Sequence, residues 1–111
     1  MKSYIFLSLA IILEVSGTML LPVSQNFTKI VPTVASVAAY VCSFYFLTFA
    51  LKTIPIAVVY ASWAGLGVFF IAVLSKFIFD QSLSWQVIVG LVLIILGVIL
   101  VNTFSGSHEV E

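Results

Sequence analysis

Four long apolar runs, separated by short polar breaks, make up nearly the whole chain: Tyr4–Leu21, Thr33–Leu51, Ile56–Phe79 and Trp85–Phe104. Each is close to the ~20 residues that a helix needs to cross the hydrocarbon core of a bilayer. None shows the alternation over about ten residues that a membrane β-barrel strand requires, so the runs predict helices. The breaks hold turn formers and charges. "PVSQNFTKIVP" runs from Pro22 to Pro32, "KTIP" divides the second run from the third, and "DQSLS" divides the third from the fourth. Connections this short place consecutive helices antiparallel. The expected fold is an all-α integral membrane protein: one domain over residues 1–111, an up-down bundle of four transmembrane helices. The tail "SGSHEVE", Ser105 to Glu111, is polar.

Composition strengthens this reading. Hydrophobic residues make up 63% of the chain and charged residues 7%, against roughly 45–50% and about 25% in soluble domains. So few charges could not cover the surface of a soluble domain of this length. Formal net charge is zero, so no long-range field points to nucleic acid. Cys42 is the single cysteine, which excludes an intrachain disulfide and suits a small packing residue. The one histidine, His108, lies in the tail, and no Cys/His cluster or Ser/His/Asp set is present. Neither a metal site, a cofactor nor an enzymatic activity is expected. Lys2 followed by "YIFLSLAIIL" is similar to the start of a signal peptide, but Glu14 interrupts the run and no A-x-A-like site follows. The first run is therefore read as a retained span of a multi-pass inner (plasma) membrane protein.

Charge gives no preferred orientation. With four spans, Lys2 and Lys52 share one side and Lys29 and Lys76 the other. Two against two leaves the positive-inside rule without a bias. The chain is thus expected to insert both ways, which would allow two copies to pair as an antiparallel dimer.

The polar residues inside the spans carry the candidate chemistry. Glu14 sits in the middle of "LAIILEVSGTMLL". A carboxylate at membrane depth costs about 2.5–3.5 kcal/mol on insertion scales, and such residues face a bundle interior or a wet cavity. On its helical face lie Ala10, Gly17, Thr18 and Leu21. Ala10 and Gly17 are expected to leave open volume beside it, and Thr18 offers a hydroxyl. The plainer alternative is a protonated acid bonded to a neighbouring helix.

In the third span Tyr60, Trp63 and Gly67 share a face within "YASWAGLG", and in the second Tyr40, Phe44 and Leu47 do the same, with Ser36 and Ser43 as small polar companions. Serines in such places usually bond back to their own helix, and an aromatic stripe alone is ordinarily packing. Beside a buried carboxylate, the rings instead suit an organic-cation site built on cation–π contact. Gly65 and Gly67 are expected to soften the third helix and allow a bend. In the fourth span Gly90 and Gly97 are seven apart, with Leu93, Ile94 and Val98 near their stripe. Small residues so placed permit close helix contact, within one chain or across a dimer seam.

With these residues in view, the chain resembles the small multidrug resistance transporters over essentially its whole length. The matching features are Glu14, "IP…YASWAGLG", the stretch Phe79–Leu83, and "GLVLIILGV" followed by Asn102. The resemblance implies a homodimer of oppositely oriented protomers that exports cations in exchange for protons. Glu14 would be the shared proton and substrate site, with Tyr60 and Trp63 lining it. Ala10, Gly17, Thr18, Tyr40, Ser43, Phe44 and Leu47 would surround it, Gly65 and Gly67 would form the bend, and Gly90 and Gly97 the seam.

Gly17 and Asn102 stand where guanidinium exporters of the family tend to have Trp and Lys, which favours the quaternary-ammonium branch. "FDQSLS" is somewhat similar to a subunit of the polyamine-exporting heterodimers. Pro22 departs from the lysine many members carry there. Besides lipids, the expected partners are small organic cations, protons, and a second copy or a paralogous subunit. The competing expectation is a non-transporting half of a heterodimer.

Overall fold

A computed structural model describes residues 2–104, and the tail reading for Ser105–Glu111 lies outside them. There are four helices: α1 (Lys2–Leu20), α2 (Ile30–Ala50), α3 (Ile56–Ile78) and α4 (Trp85–Thr103). All four are long and apolar enough to cross a membrane. A helix satisfies every backbone polar group from within its own segment, which is what lipid demands.

The ends have local causes. Pro22, which has no N–H, lies just past the end of α1 and opens the turn that follows. α2 begins three residues earlier than the pattern predicts, at Ile30 instead of Thr33. Pro32 then falls in its first turn, where a backbone N–H has no helical acceptor in any case, so the proline is tolerated. Pro55 is the N-cap residue of α3. Ser84 caps α4, its hydroxyl accepting from the Val87 N–H at 3.3 Å.

The loop between α1 and α2 is wound around Ser24, which is almost fully buried. Its hydroxyl donates to the Leu21 carbonyl at 2.7 Å and accepts from the Phe27 N–H at 3.2 Å. Its carbonyl accepts from the N–H groups of Thr28 and Lys29, both at 3.0 Å. These bonds hold Gln25, Asn26 and Phe27 at φ of 49°, 61° and 66°, a left-handed stretch that is costly for side-chain-bearing residues.

Within the up-and-down order the helices lie side by side. α1 sits between α2 and α3, and α4 packs on α3. The Cα extents of 43 × 34 × 17 Å describe a slab. The core is shared by α1, α2 and α3, through Leu7, Ala10, Ile11, Val15, Leu47 and Val59 among others. α4 contributes little to it, with only Leu91 and Val98 buried.

α1 and α2 are joined by two matching hydrogen bonds. The Ser36 hydroxyl donates to the Gly17 carbonyl at 2.8 Å, and the Ser43 hydroxyl to the Ala10 carbonyl at 2.7 Å. Both serines are buried. This corrects the expectation that they bond back to their own helix: α1 comes so close at its two small residues that its carbonyls become the better acceptors. Interhelical bonds of this kind contribute about 0.6 kcal/mol on average in membranes. Ser36→Ala is therefore expected to lower stability modestly, by about 0.5–1 kcal/mol, read from unfolding in mixed detergent micelles.

Candidate functional site

Glu14 lies in the middle of α1, where α2 and α3 flank it. Its Oε1 accepts from the Thr18 hydroxyl at 3.1 Å, one helical turn along. The Thr18 hydroxyl is also bonded to the Tyr40 hydroxyl of α2. The other oxygen, Oε2, is buried and accepts no hydrogen bond. It points at Gly67 of α3, where an added Cβ would stand 2.5 Å from Oε2 and 3.3 Å from Cδ. Gly67 thus makes the room for the carboxylate. The expected bend is not needed to explain this glycine: α3 runs as one continuous helix from Ile56 to Ile78. Gly65 likewise serves close approach, since a Cβ there would meet Val98 Cγ2 at 2.6 Å and Ile94 Cγ2 at 3.2 Å.

The open volume expected beside Ala10 and Gly17 is occupied by α2. Ala10 is fully buried. A Cβ on Gly17 would stand 3.2 Å from the Ser36 carbonyl oxygen and 3.3 Å from Ala39 Cβ. These two residues set the α1–α2 distance and do not line a cavity. Leu47 also belongs to the core.

The aromatic residues assemble around Trp63. Its indole N–H donates to the Ser43 hydroxyl at 3.1 Å, and Ser43 in turn is held by the Ala10 carbonyl. Phe44 lies with its ring centroid 5.5 Å from that of Trp63, and Tyr60 at 6.1 Å on a tilted ring. Phe44 and Tyr60 are 55% and 64% exposed, so their outer faces are available to a further partner. Within the chain Tyr60 makes no hydrogen bond to Glu14. Ser43→Ala is expected to free the Trp63 ring from its one polar tether. The checks are a shift in tryptophan emission and a several-fold weaker affinity for an aromatic cation.

The residues expected at a helix–helix seam on α4 divide in two. Val98 and Ile94 face Gly65 within the chain. Gly90 and Gly97 have open space where a Cβ would be, and Leu93 is exposed.

Sequence reasoning missed a second polar group. The Asn102 amide donates to the Ser62 hydroxyl at 2.7 Å and to the Val98 carbonyl at 2.9 Å, while the Tyr4 hydroxyl donates to Asn102 Oδ1 at 3.2 Å. This ties α4 to α3 and α1 near one end of the slab. A groove of about 560 Å³ between α1 and α3, lined by Ile11, Val15, Leu66 and Phe70, does not include Glu14. Its two serines, Ser8 and Ser16, donate to carbonyls of their own helix, which leaves the groove apolar. Among the described residues there is no cluster of metal-ligating side chains.

What this arrangement can do follows from the charges. α2 contains no charged residue, and the only one in α3 is Lys76, in its last turn. Glu14 therefore has no fixed cation beside it, only a donor hydroxyl on one oxygen and a bare second oxygen. A carboxylate so placed has neither a fixed counter-ion nor a full set of donors to offset its burial.

Comparison with known proteins gives the family. Residues 2–94 match the family described as Small Multidrug Resistance protein. This chain belongs to the small multidrug resistance family. It is 43% identical over 105 residues to the quaternary ammonium compound-resistance protein QacF of Klebsiella aerogenes, covering 95% of this chain and 96% of that one. It is 39% identical over 105 residues to QacH of Staphylococcus saprophyticus, covering 95% and 98%. To the multidrug transporter EmrE of Escherichia coli it is 40% identical over 107 residues, covering 96% and 97%. As a small multidrug resistance protein the chain is a multi-pass transporter of the bacterial plasma membrane and not an enzyme.

Proposed function

We propose that this transporter is a drug exporter that moves lipophilic and quaternary ammonium cations out of the cell in exchange for protons, with Glu14 as the site both compete for. One observation carries the reading. Glu14 presents a buried oxygen with no hydrogen bond, in the space Gly67 leaves, on helices that supply no counter-ion. The trio of Trp63, Phe44 and Tyr60 supports the cation class, since the exposed rings of Phe44 and Tyr60 offer π faces that attract organic cations. The names of the relatives, resistance proteins for quaternary ammonium compounds, support the same class.

The working unit in this proposal is a pair of oppositely inserted copies. Phe44 and Tyr60 keep exposed faces for a second copy, and the even division of lysines between the two membrane faces lets either orientation form. Two Glu14 carboxylates facing one chamber would titrate as a coupled unit. When the protomers exchange conformations, the open side changes, and the gradient of protons drives the cation outward.

The test is tetraphenylphosphonium binding to the purified chain across pH. Protonated Glu14 is neutral and holds no cation, so affinity is expected to rise with pH through the titration of Glu14 and then level. Binding that ignores pH would overturn proton–cation competition. Absence of binding by the chain alone would point to a heterodimer with a paralogous subunit. Displacement by guanidinium, or by a polyamine, at equal concentration would reassign the substrate class.

A further inference from the structure

The two oxygens of Glu14 are not equivalent, and the difference is directional. The Thr18 hydroxyl has one proton, and it donates that proton to Oε1. In its bond with Tyr40, Thr18 is therefore the acceptor and the phenol is the donor. The result is an oriented chain of hydroxyls, Tyr40 to Thr18 to Oε1. It runs from a half-buried phenol on α2 to the carboxylate on α1. The aromatic trio is tethered through a different hydroxyl, that of Ser43, which accepts from the Trp63 indole N–H.

We infer that Tyr40 and Thr18 form the route by which protons reach and leave Glu14, entering and leaving at Oε1. The inference rests on the exchange reading above and adds the path to it. In protonation, Thr18 passes its proton to Oε1, Tyr40 passes its own to Thr18, and Tyr40 takes a proton from water. One proton is gained by the carboxylate and none is lost along the chain. In release, Oε1–H donates to Thr18, Thr18 to Tyr40, and Tyr40 to water. No other charged group intrudes on the path. Tyr40 is the titratable side chain that α2 brings to the Thr18 hydroxyl, α3 presents Gly67, and Lys76 is in the last turn of α3. Neither hydroxyl is a catalytic group in the chemical sense; both are positioned carriers.

Separate routes matter for an exchanger. A bulky cation resting on the aromatic rings would block any proton path that ran past it. A path through the Tyr40 and Thr18 hydroxyls does not use the Trp63–Ser43 bond, so the proton can leave while the cation arrives.

The test is stopped-flow detection of protons released by the purified transporter when tetraphenylphosphonium is added, using a pH-indicating dye in weak buffer. Thr18→Val keeps the branched shape and removes the hydroxyl; Tyr40→Phe keeps the ring and removes the outer link. Each is expected to slow release by about a hundredfold, the lower end of what a positioned proton carrier contributes. Thr18→Ser restores the hydroxyl and is expected to restore most of the rate. Release at the wild-type rate from Thr18→Val or from Tyr40→Phe would overturn the relay. If Thr18→Val does not insert, Tyr40→Phe decides the matter alone. No proton release from the wild-type chain, despite cation binding, would overturn the exchange reading instead.

Discussion

Replacing Glu14 with glutamine is expected to abolish proton-driven uptake of a quaternary ammonium compound into inverted vesicles, with the protein still inserted and folded. Glutamine has nearly the same shape, and its amide oxygen can still accept from Thr18, so the α1–α2 contact at this level survives. What disappears is the only carboxylate in the four helices. Without it the site has no group that can release a proton to admit a cation. Binding of tetraphenylphosphonium should fall at every pH and lose its pH dependence. Glu14→Asp keeps the charge but withdraws it from Gly67 by one methylene, and should retain exchange with weaker affinity. Uptake by Glu14→Gln at more than a few per cent of the wild-type rate would mean that the coupling resides elsewhere.

Gly67→Ala carries the second large effect. The new Cβ would lie 2.5 Å from Oε2, well inside contact distance, with Cδ at 3.3 Å. Backbone is not in the way. The atom that must yield is the end of a flexible side chain, so the helices can keep their packing while the carboxylate turns aside. Stability should therefore change little, and function much: cation affinity is expected to drop at least tenfold, equivalent to about 1.4 kcal/mol. Gly65→Ala is the useful comparison. Its Cβ would meet methyl groups of Val98 and Ile94, so it strains the α3–α4 contact and leaves Glu14 untouched. Its cost should appear in unfolding, at roughly 1–3 kcal/mol for an overpacked contact, and less in affinity. Reversal of the two outcomes would mean that Gly67 is a packing or bending residue after all. Transport and detergent unfolding measured on both variants distinguish these cases.

The helices were legible in the sequence because lipid leaves a spanning segment few options. Apolar length alone marked four spans to within a few residues. The start of α2 differs from the pattern because Pro32 has the look of a loop's end. In the first turn of a helix a missing N–H costs nothing, and pattern alone does not distinguish the two settings. Glu14 stands out as a candidate for a related reason: an acid in a run of leucine and isoleucine has no role in packing that a neutral residue would not fill better.

The partners of the small residues were not legible. A helical wheel says which side chains share a face, and so grouped Ala10 and Gly17 with Glu14. It does not say which helix covers that face. Gly17 and Ala10 turned out to receive α2 and its two serines, Gly65 to receive α4, and Gly67 to receive the carboxylate. A sign of the first pairing was present. Ser36 and Ser43 are seven apart on one helix, as are Ala10 and Gly17 on its antiparallel neighbour. The Asn102 group joins three helices across 40 and 98 residues of sequence, and no local spacing announces it.

By itself, then, the sequence determined that the chain lives in a membrane, that it crosses four times without a charge-set direction, and that one carboxylate and a few rings are the candidates for its chemistry. These follow from local rules: hydrocarbon excludes unsatisfied backbone and isolated charge wherever they occur along the chain. Only the tertiary structure decided what each oxygen of Glu14 touches, which glycine makes room for it, and which face of α4 stays open. Those depend on how rigid helices rotate and close against one another. That choice is made by contacts between residues far apart in sequence, and in lipid it is made by shape and hydrogen bonding more than by hydrophobicity.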